Sequence, residues 1–374
     1  MKDITIIGGG LAGLINAIVL AKKGFQVLLI EKKQYPFHRV CGEYISREVV
    51  PFLQSIGCYP DELNPSAIDK FVLTSVSGKK VEMPLDLGGF GISRYAFDNY
   101  LVNKAEASGV EIWQKKSVES IFFQKEANKF LISIKGGQSL ESKLVIGAFG
   151  KRSTLDAHLH RDFLKRRSPY LGVKYHVKTD YAPDVVALHN FKGGYCGISK
   201  VENDVFNLCY LSHSNNLKKY GNINEMEEAV LYENPHLRSI WLNSDFILDK
   251  SMVINEISFE KKKPIEKHVF MSGDSAGMIT PLCGNGMAMA IHSAYLLSSI
   301  ITENGIPKSF AHRIMLEKHY THLWNEMFAT RLWLGRNTQK LFGGKSISNF
   351  AVKLAKVSPA LARSIMKKTH GKEF

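Results

Sequence analysis

Lys2-Asp3-Ile4-Thr5-Ile6-Ile7-Gly8-Gly9-Gly10-Leu11-Ala12-Gly13 is the stretch that decides the fold. Its apolar run stops abruptly at three glycines, as a buried strand does when it enters a tight turn. Residues 11–23 then read as a helix ending before Gly24, and residues 26–30 as a second buried strand. Gly8, Gly10 and Gly13 have the GxGxxG spacing, between a strand and a helix, where that spacing carries meaning. Gly8 permits the turn, Gly10 lets the backbone approach a pyrophosphate, and Gly13 lets helix and strand pack closely. The helix start turns its N–H groups and its dipole towards the phosphates. Glu31 closes the second strand about 18 residues beyond Gly13. A carboxylate there accepts hydrogen bonds from ribose hydroxyls and repels a 2′-phosphate, which disfavours NADP at this loop. Gly8, Gly10, Ala12, Gly13, Glu31 and the adjoining Lys32 are the expected contacts to a dinucleotide.

Outward from this βαβ opening, residues 70–84 read as a hairpin around Ser77-Gly78, 94–108 as an amphipathic helix and 118–134 as a second hairpin. Val118, at the head of that hairpin, joins the expected cofactor contacts. Short strands crowd residues 168–211, as in an antiparallel sheet. Strands at 251–257 and 268–272 precede a long helix from about 285 to 302, and residues 308–374 look mostly helical.

A second phosphate-type motif lies far downstream. Val269-Phe270-Met271-Ser272-Gly273-Asp274 is a strand ending in Gly-Asp, and Pro281-Leu282-Cys283-Gly284-Asn285-Gly286 is a glycine-rich turn into a helix. The pair of motifs resembles the flavoprotein superfamily of aromatic hydroxylases and geranylgeranyl reductases, in which GDAAG…PxxGxG is the second FAD motif. The resemblance covers most of residues 1–305. It implies that Asp274 holds the ribityl chain. It also implies that Gly273, Gly284, Asn285 and Gly286 bring a helix N-terminus to the flavin, stabilising its reduced anion. Arg94 and Asp98 are similar to an R-x-x-x-D segment near the flavin chain; read alone they are also an i,i+4 surface pair. Arg39-Val40-Cys41-Gly42-Glu43 resembles the (K/R)xCG(E/G) loop of the geranylgeranyl-reductase branch. That match adds Arg39, Cys41 and Gly42 to the expected FAD contacts.

The chain also departs from these patterns. Gly147-Ala148-Phe149-Gly150 has Phe149 where the hydroxylases carry an Asp tied to pyrophosphate and NAD(P)H handling. Gly193-Gly194-Tyr195-Cys196-Gly197 keeps the Tyr of the reductases' G-G-Y-x-W strand and loses its Trp. The halogenases' W-x-W-x-I-P segment is matched by none of the four Trp residues. A double-bond reductase needs a proton donor beside the hydride acceptor. Cys41, Tyr195 and Glu43 are the expected catalytic groups, with His189 a further candidate; Cys41, Cys196 and Cys283 share one cavity in this reading.

Composition narrows the class further. With 374 residues, 45% hydrophobic and 22% charged, the chain is ordinary globular material. Its five Cys form no CxxC pair, so neither a metal site nor a disulfide scaffold is expected, and a cytoplasmic setting fits. The net charge is +14, but residues 331–374 hold ten basic residues against one acid. The remaining body is close to neutral, which disfavours nucleic-acid binding. Cations such as Lys353 and Arg363 alternate with Phe350, Leu354 and Leu361 in this tail. It reads either as a helix packed on the body or as a peripheral contact at the inner face of a membrane.

The expected fold class is α/β: a Rossmann-like FAD-binding domain interleaved with an antiparallel β-sheet substrate domain, plus a C-terminal helical tail. Residues 1–68, 94–165 and 262–305 are assigned to the first domain, 69–93 and 166–261 to the second, and 306–374 to the tail. The expected function is FAD-dependent hydride exchange with a small hydrophobic, polyketide- or isoprenoid-like substrate. An aromatic monooxygenase is the alternative within the class. A membrane-associated flavin electron carrier to quinone or a partner protein is the alternative outside it. The electron donor, NAD(P)H as a transient reductant or a donor protein, is left open.

Overall fold

The computed structural model describes residues 1–248, 250–280, 284–339, 343–369 and 371–374. The chain runs β1 (Lys2–Ile7), α1 (Leu11–Lys22), β2 (Val27–Ile30), β3 (Tyr44–Ser46), α2 (Val50–Ser55), β4 (Ser66–Thr74), β5 (Lys80–Gly91) and α3 (Arg94–Ala107). It continues through β6 (Glu111–Trp113), β7 (Val118–Gln124), β8 (Lys129–Ile134), β9 (Ser139–Gly147), α4 (Thr154–His158) and β10 (Tyr170–Lys178). Next come β11 (Val185–Phe191), β12 (Gly194–Lys200), β13 (Phe206–His213), α5 (Ser214–Tyr220), α6 (Ile223–Met226), α7 (Pro235–Leu242), β14 (Asp245–Phe246) and β15 (Met252–Ile254). It closes with β16 (Ile265–Glu266), β17 (Val269–Met271), α8 (Gly286–Asn304), α9 (Phe310–Gln339), α10 (Lys345–Val357) and α11 (Pro359–Thr369).

The first sheet has the order β16-β17-β9-β1-β2-β6, with β17, β9, β1, β2 and β6 parallel and β7-β8 added antiparallel to β9. Apolar runs such as Val27–Ile30 are buried along their whole length because helices cover both faces. Helix α1 is almost wholly buried against α3 and α8, which is why it lacks a polar stripe.

The second sheet has the order β14-β10-β13-β12-β11-β4-β5-β3, with β15 on β10. Its pairs are antiparallel except β4 with β11. Strand β3 belongs to this sheet through Gly89–Gly91 although it precedes residue 69; three residues carry no readable periodicity. Helix α10 packs on β4 and β5, and α11 on α9. No helix among the described residues is long and apolar enough to cross a membrane.

Candidate functional site: a backbone cradle opening on an apolar chamber

Strands β17, β9 and β1 lie side by side and parallel, so their C-terminal ends bring three loops together: Gly8–Gly10, Ala148–Gly150 and Ser272–Asp274. This is the crevice beyond the strand ends where open α/β sheets bind ligands. Small residues let the loops close up. Gly8 has φ +103°, and a Cβ there would stand 2.4 Å from the Ala148 carbonyl oxygen. A Cβ on Gly13 would stand 2.0 Å from the Gly8 oxygen, and one on Gly273 2.8 Å from the Ala12 Cβ. A Cβ on Gly10 would meet only Arg94 Nη2, at 3.5 Å. Gly10 therefore faces the cavity, whereas Gly13 serves packing and does not line it.

Helix α1 starts at Gly10 and α8 at Asn285, each without a side-chain cap and without an acid in its first turn. Gly10, Leu11, Gly286 and Met287 line the cavity, so both helix starts turn their N–H groups towards it. A cradle of backbone donors with glycine at the points of closest approach fits a dinucleotide pyrophosphate. Gly284 also lines the cavity. Asn285 does not; its Nδ2 donates to the buried Glu48 carboxylate at 3.4 Å. Pro281, Leu282 and Cys283 lie outside the described residues.

Charged side chains brace the cradle. Asp98 is buried and accepts from Arg94 Nε at 2.7 Å, Arg94 Nη2 at 2.8 Å and Arg39 Nε at 2.9 Å. The Arg94–Asp98 pair is thus an interior clamp, not a surface pair. Burial disfavours the Arg94 cation, but Asp98 outweighs this and raises its pKa above the ordinary range. Arg39 Nη2 also donates to the Gly9 oxygen at 3.1 Å and to Glu31 at 3.3 Å. Glu31 accepts from the Gly9 N–H at 2.9 Å and the Lys33 N–H at 3.0 Å. Its carboxylate shapes the glycine loop as well as lining the cavity beside Lys32 and Val118.

The loop Arg39–Glu43 lines the same cavity. Glu43 has φ +54°, a conformation glycine takes freely, and its side chain is fully buried. It accepts from the Arg94 N–H at 2.7 Å, from Lys174 Nζ, and contacts His176 Nε2 at 2.6 Å. Lys174 Nζ donates to the Arg39 oxygen at 3.2 Å as well. Burial alone would raise the Glu43 pKa, but Lys174 and His176 bring it below the usual carboxylate value. Held by the Arg94 N–H, Lys174 and His176, Glu43 anchors the loop carrying Cys41. Lys174 and His176 went unread in the sequence, although both point to one face of the otherwise apolar run Leu171–Val177.

The cavity has a volume of about 760 Å³ and runs without interruption from Glu31 and Lys32 past Asp274 and Cys41 into an apolar chamber. Leu73, Met83, Leu188 and Leu211 form that chamber on strands of the second sheet. Tyr195 lines it and donates to Gln339 Oε1 at 3.5 Å. Ile347, Phe350 and Leu354 of α10 and Leu361 of α11 complete the wall. His189 is not on the wall: it is buried against Thr74 Oγ1 at 2.9 Å, and burial pulls its pKa down to about 3. Cys196 is fully buried and also off the wall, whereas Cys209 lies on it. Phe149 lines the cavity, and Arg152 pairs with Glu256 at its exposed side.

Fold and cradle define a flavin-dependent enzyme class, and the chain belongs to the FAD binding domain family, which it matches over residues 1–304. It is an FAD-dependent enzyme of the superfamily that includes geranylgeranyl-type reductases and flavin halogenases. Among curated relatives, a digeranylgeranylglycerophospholipid reductase of Methanococcus vannielii is 22% identical, with 96% of each chain covered. A tryptophan 2-halogenase of Chondromyces crocatus is also 22% identical, over 80% of this chain and 60% of that one. Among solved structures, the flavin-dependent brominase Bmp2 shares the fold with a TM-score of 0.78 at 17% identity, covering 98% of this chain and 93% of that one.

Proposed function

We propose that this chain is an FAD-dependent reductase that adds a hydride and a proton across a carbon–carbon double bond of an apolar, isoprenoid- or polyketide-like molecule. The observation that carries this reading is the apolar chamber opening directly on the cradle as one cavity. The first curated relative, by its name, reduces an isoprenoid lipid. When bound and reduced by its electron donor, the flavin would supply the hydride. Gly10, Ala12 and the start of α1 would hold its pyrophosphate beside Arg94, Glu31 and Lys32 would take the adenosine end, and Asp274 would take the ribityl chain. Gly284 and Gly286, which line the cavity at the start of α8, would approach the flavin. The chamber walls exclude water and orient the double bond. Tyr195 and Cys41, both on the wall, are the groups that can hand over the proton.

Turnover without O2 decides the reaction. Supplied with a reduced mediator, a reductase forms product anaerobically, and a monooxygenase forms none. Electron transfer to quinone with every candidate substrate unchanged would identify a carrier. Bleaching of the flavin by NADH, NADPH or a reduced ferredoxin identifies the donor. Tyr195→Phe is expected to lower kcat about 10²-fold with FAD retained; unchanged kcat moves the proton to Cys41, tested by Cys41→Ser.

A further inference from the structure

Helices α10 and α11 have two apolar aspects. Ser348, Val352 and Ala355 are buried against the body, and the Val76 N–H donates to Ser348 Oγ at 3.3 Å while Ser77 Oγ donates to Asn349 Oδ1 at 2.6 Å. These bonds fix α10 to the β4–β5 turn. A second set looks outward: Phe350 is 64% exposed, Val357 74%, and Ile347 and Leu361 45% each. Ile347, Phe350 and Leu361 are at the same time wall residues of the chamber, so the rim between chamber and solvent is made of exposed apolar side chains. Exposed cations Lys345, Lys353, Lys356, Arg363 and Lys367 lie on the same two helices, and neither helix contains an Asp or Glu.

Exposed apolar groups flanked by one sign of charge mark a surface that meets something both greasy and anionic. A second copy of the chain would bring the same cations face to face, which charge repulsion disfavours. An anionic bilayer satisfies both features: its acyl boundary receives Phe350, Val357 and Leu361, and its headgroups receive the lysines and Arg363. We infer that the α10–α11 rim docks on the surface of an anionic membrane and holds the chamber mouth against it, so that an apolar substrate enters from the lipid without crossing water. The route of entry rests on the reductase reading above; the docking itself does not.

The test is vesicle co-sedimentation of the full-length FAD-loaded protein, read without substrate. Vesicles of phosphatidylcholine with about one third phosphatidylglycerol are expected to bind it about tenfold more tightly than phosphatidylcholine alone, and added salt should weaken the difference. Lys353→Glu/Lys356→Glu and, separately, Phe350→Asp should each reduce binding about tenfold, with FAD content and Tm confirming that the variants are folded. Equal binding to both vesicle types, no binding to either, or a wild-type dimer that Phe350→Asp splits would each overturn the inference. Vesicle binding by a protein that reduces no apolar substrate would overturn the proposed reaction alone. Turnover of micelle-delivered substrate without vesicle binding would overturn the docking alone.

Discussion

The cradle and the chamber share one cavity but are built from different materials. The cradle is made of backbone: turns at Gly8, Gly10 and Gly273, two uncapped helix starts, and charged groups that brace loops. The chamber is made of side chains, each an ordinary Leu, Met or Phe, drawn from β4, β5, β11, β13 and α10. A backbone site depends on which residues are absent, since a Cβ would collide at Gly8, Gly13 and Gly273 and would project into the cavity at Gly10. A side-chain site depends on total volume and tolerates exchange. The difference teaches where specificity resides: the cradle fixes one cofactor, and the chamber is the adjustable part.

The sharpest way to break that comparison is within the glycines. Gly8→Ala forces a Cβ to 2.4 Å from a carbonyl at φ +103° and should abolish folded flavoprotein. Gly10→Ala meets only the end of Arg94 at 3.5 Å, so it should fold normally yet take up no FAD, as read by absorbance of the purified protein and its Tm. If Gly10→Ala keeps FAD, the backbone-approach argument falls.

Next in size is Glu43→Gln, which leaves the Lys174 cation buried without its partner and should cost about 3–5 kcal/mol in denaturant unfolding. The native pKa of Glu43 lies below its usual 4.5. Its contribution to stability is thus complete above about 4.5 and is lost as pH falls towards the depressed native value. Wild type should show this acid limb and Glu43→Gln should lack it. A parallel acid response in both proteins would remove Glu43 as the loop's anchor.

The smallest effect belongs to the chamber. Leu73→Trp should cost about 1–3 kcal/mol in overpacking and leave FAD content intact. It should raise KM for an apolar substrate about tenfold. Loss of FAD from this variant would show that the two regions are not separable.

The same contrast explains what could be read without coordinates. Gly8–Gly13, Glu31 and Gly273-Asp274 are contiguous signals, because a tight backbone approach demands particular residues at fixed local spacing. Leu73, Leu188, Leu211 and Phe350 carry no such signal; only the pairing of β4 with β11 and the seating of α10 bring them together. Glu43 was noticed, but its role followed from Lys174 and His176, more than 130 residues away along the chain. The tail's amphipathic pattern was visible, whereas the wall it completes was not.

The interlock of Gly8 with Ala148, Gly13 with Gly8, and Gly273 with Ala12 has one more consequence. At these points backbone and methyl groups bear directly on each other, with no long side chain between them to change rotamer and absorb a displacement. Close-packed matter transmits strain instead of damping it. A shift of β1, β9 or β17 caused by a substitution deep in the first sheet, at Ile146 for instance, should therefore arrive at the cofactor loop nearly undiminished. Distance from the cradle is then a poor guide to whether a core position matters for holding FAD; sharing one of these three strands is a better one.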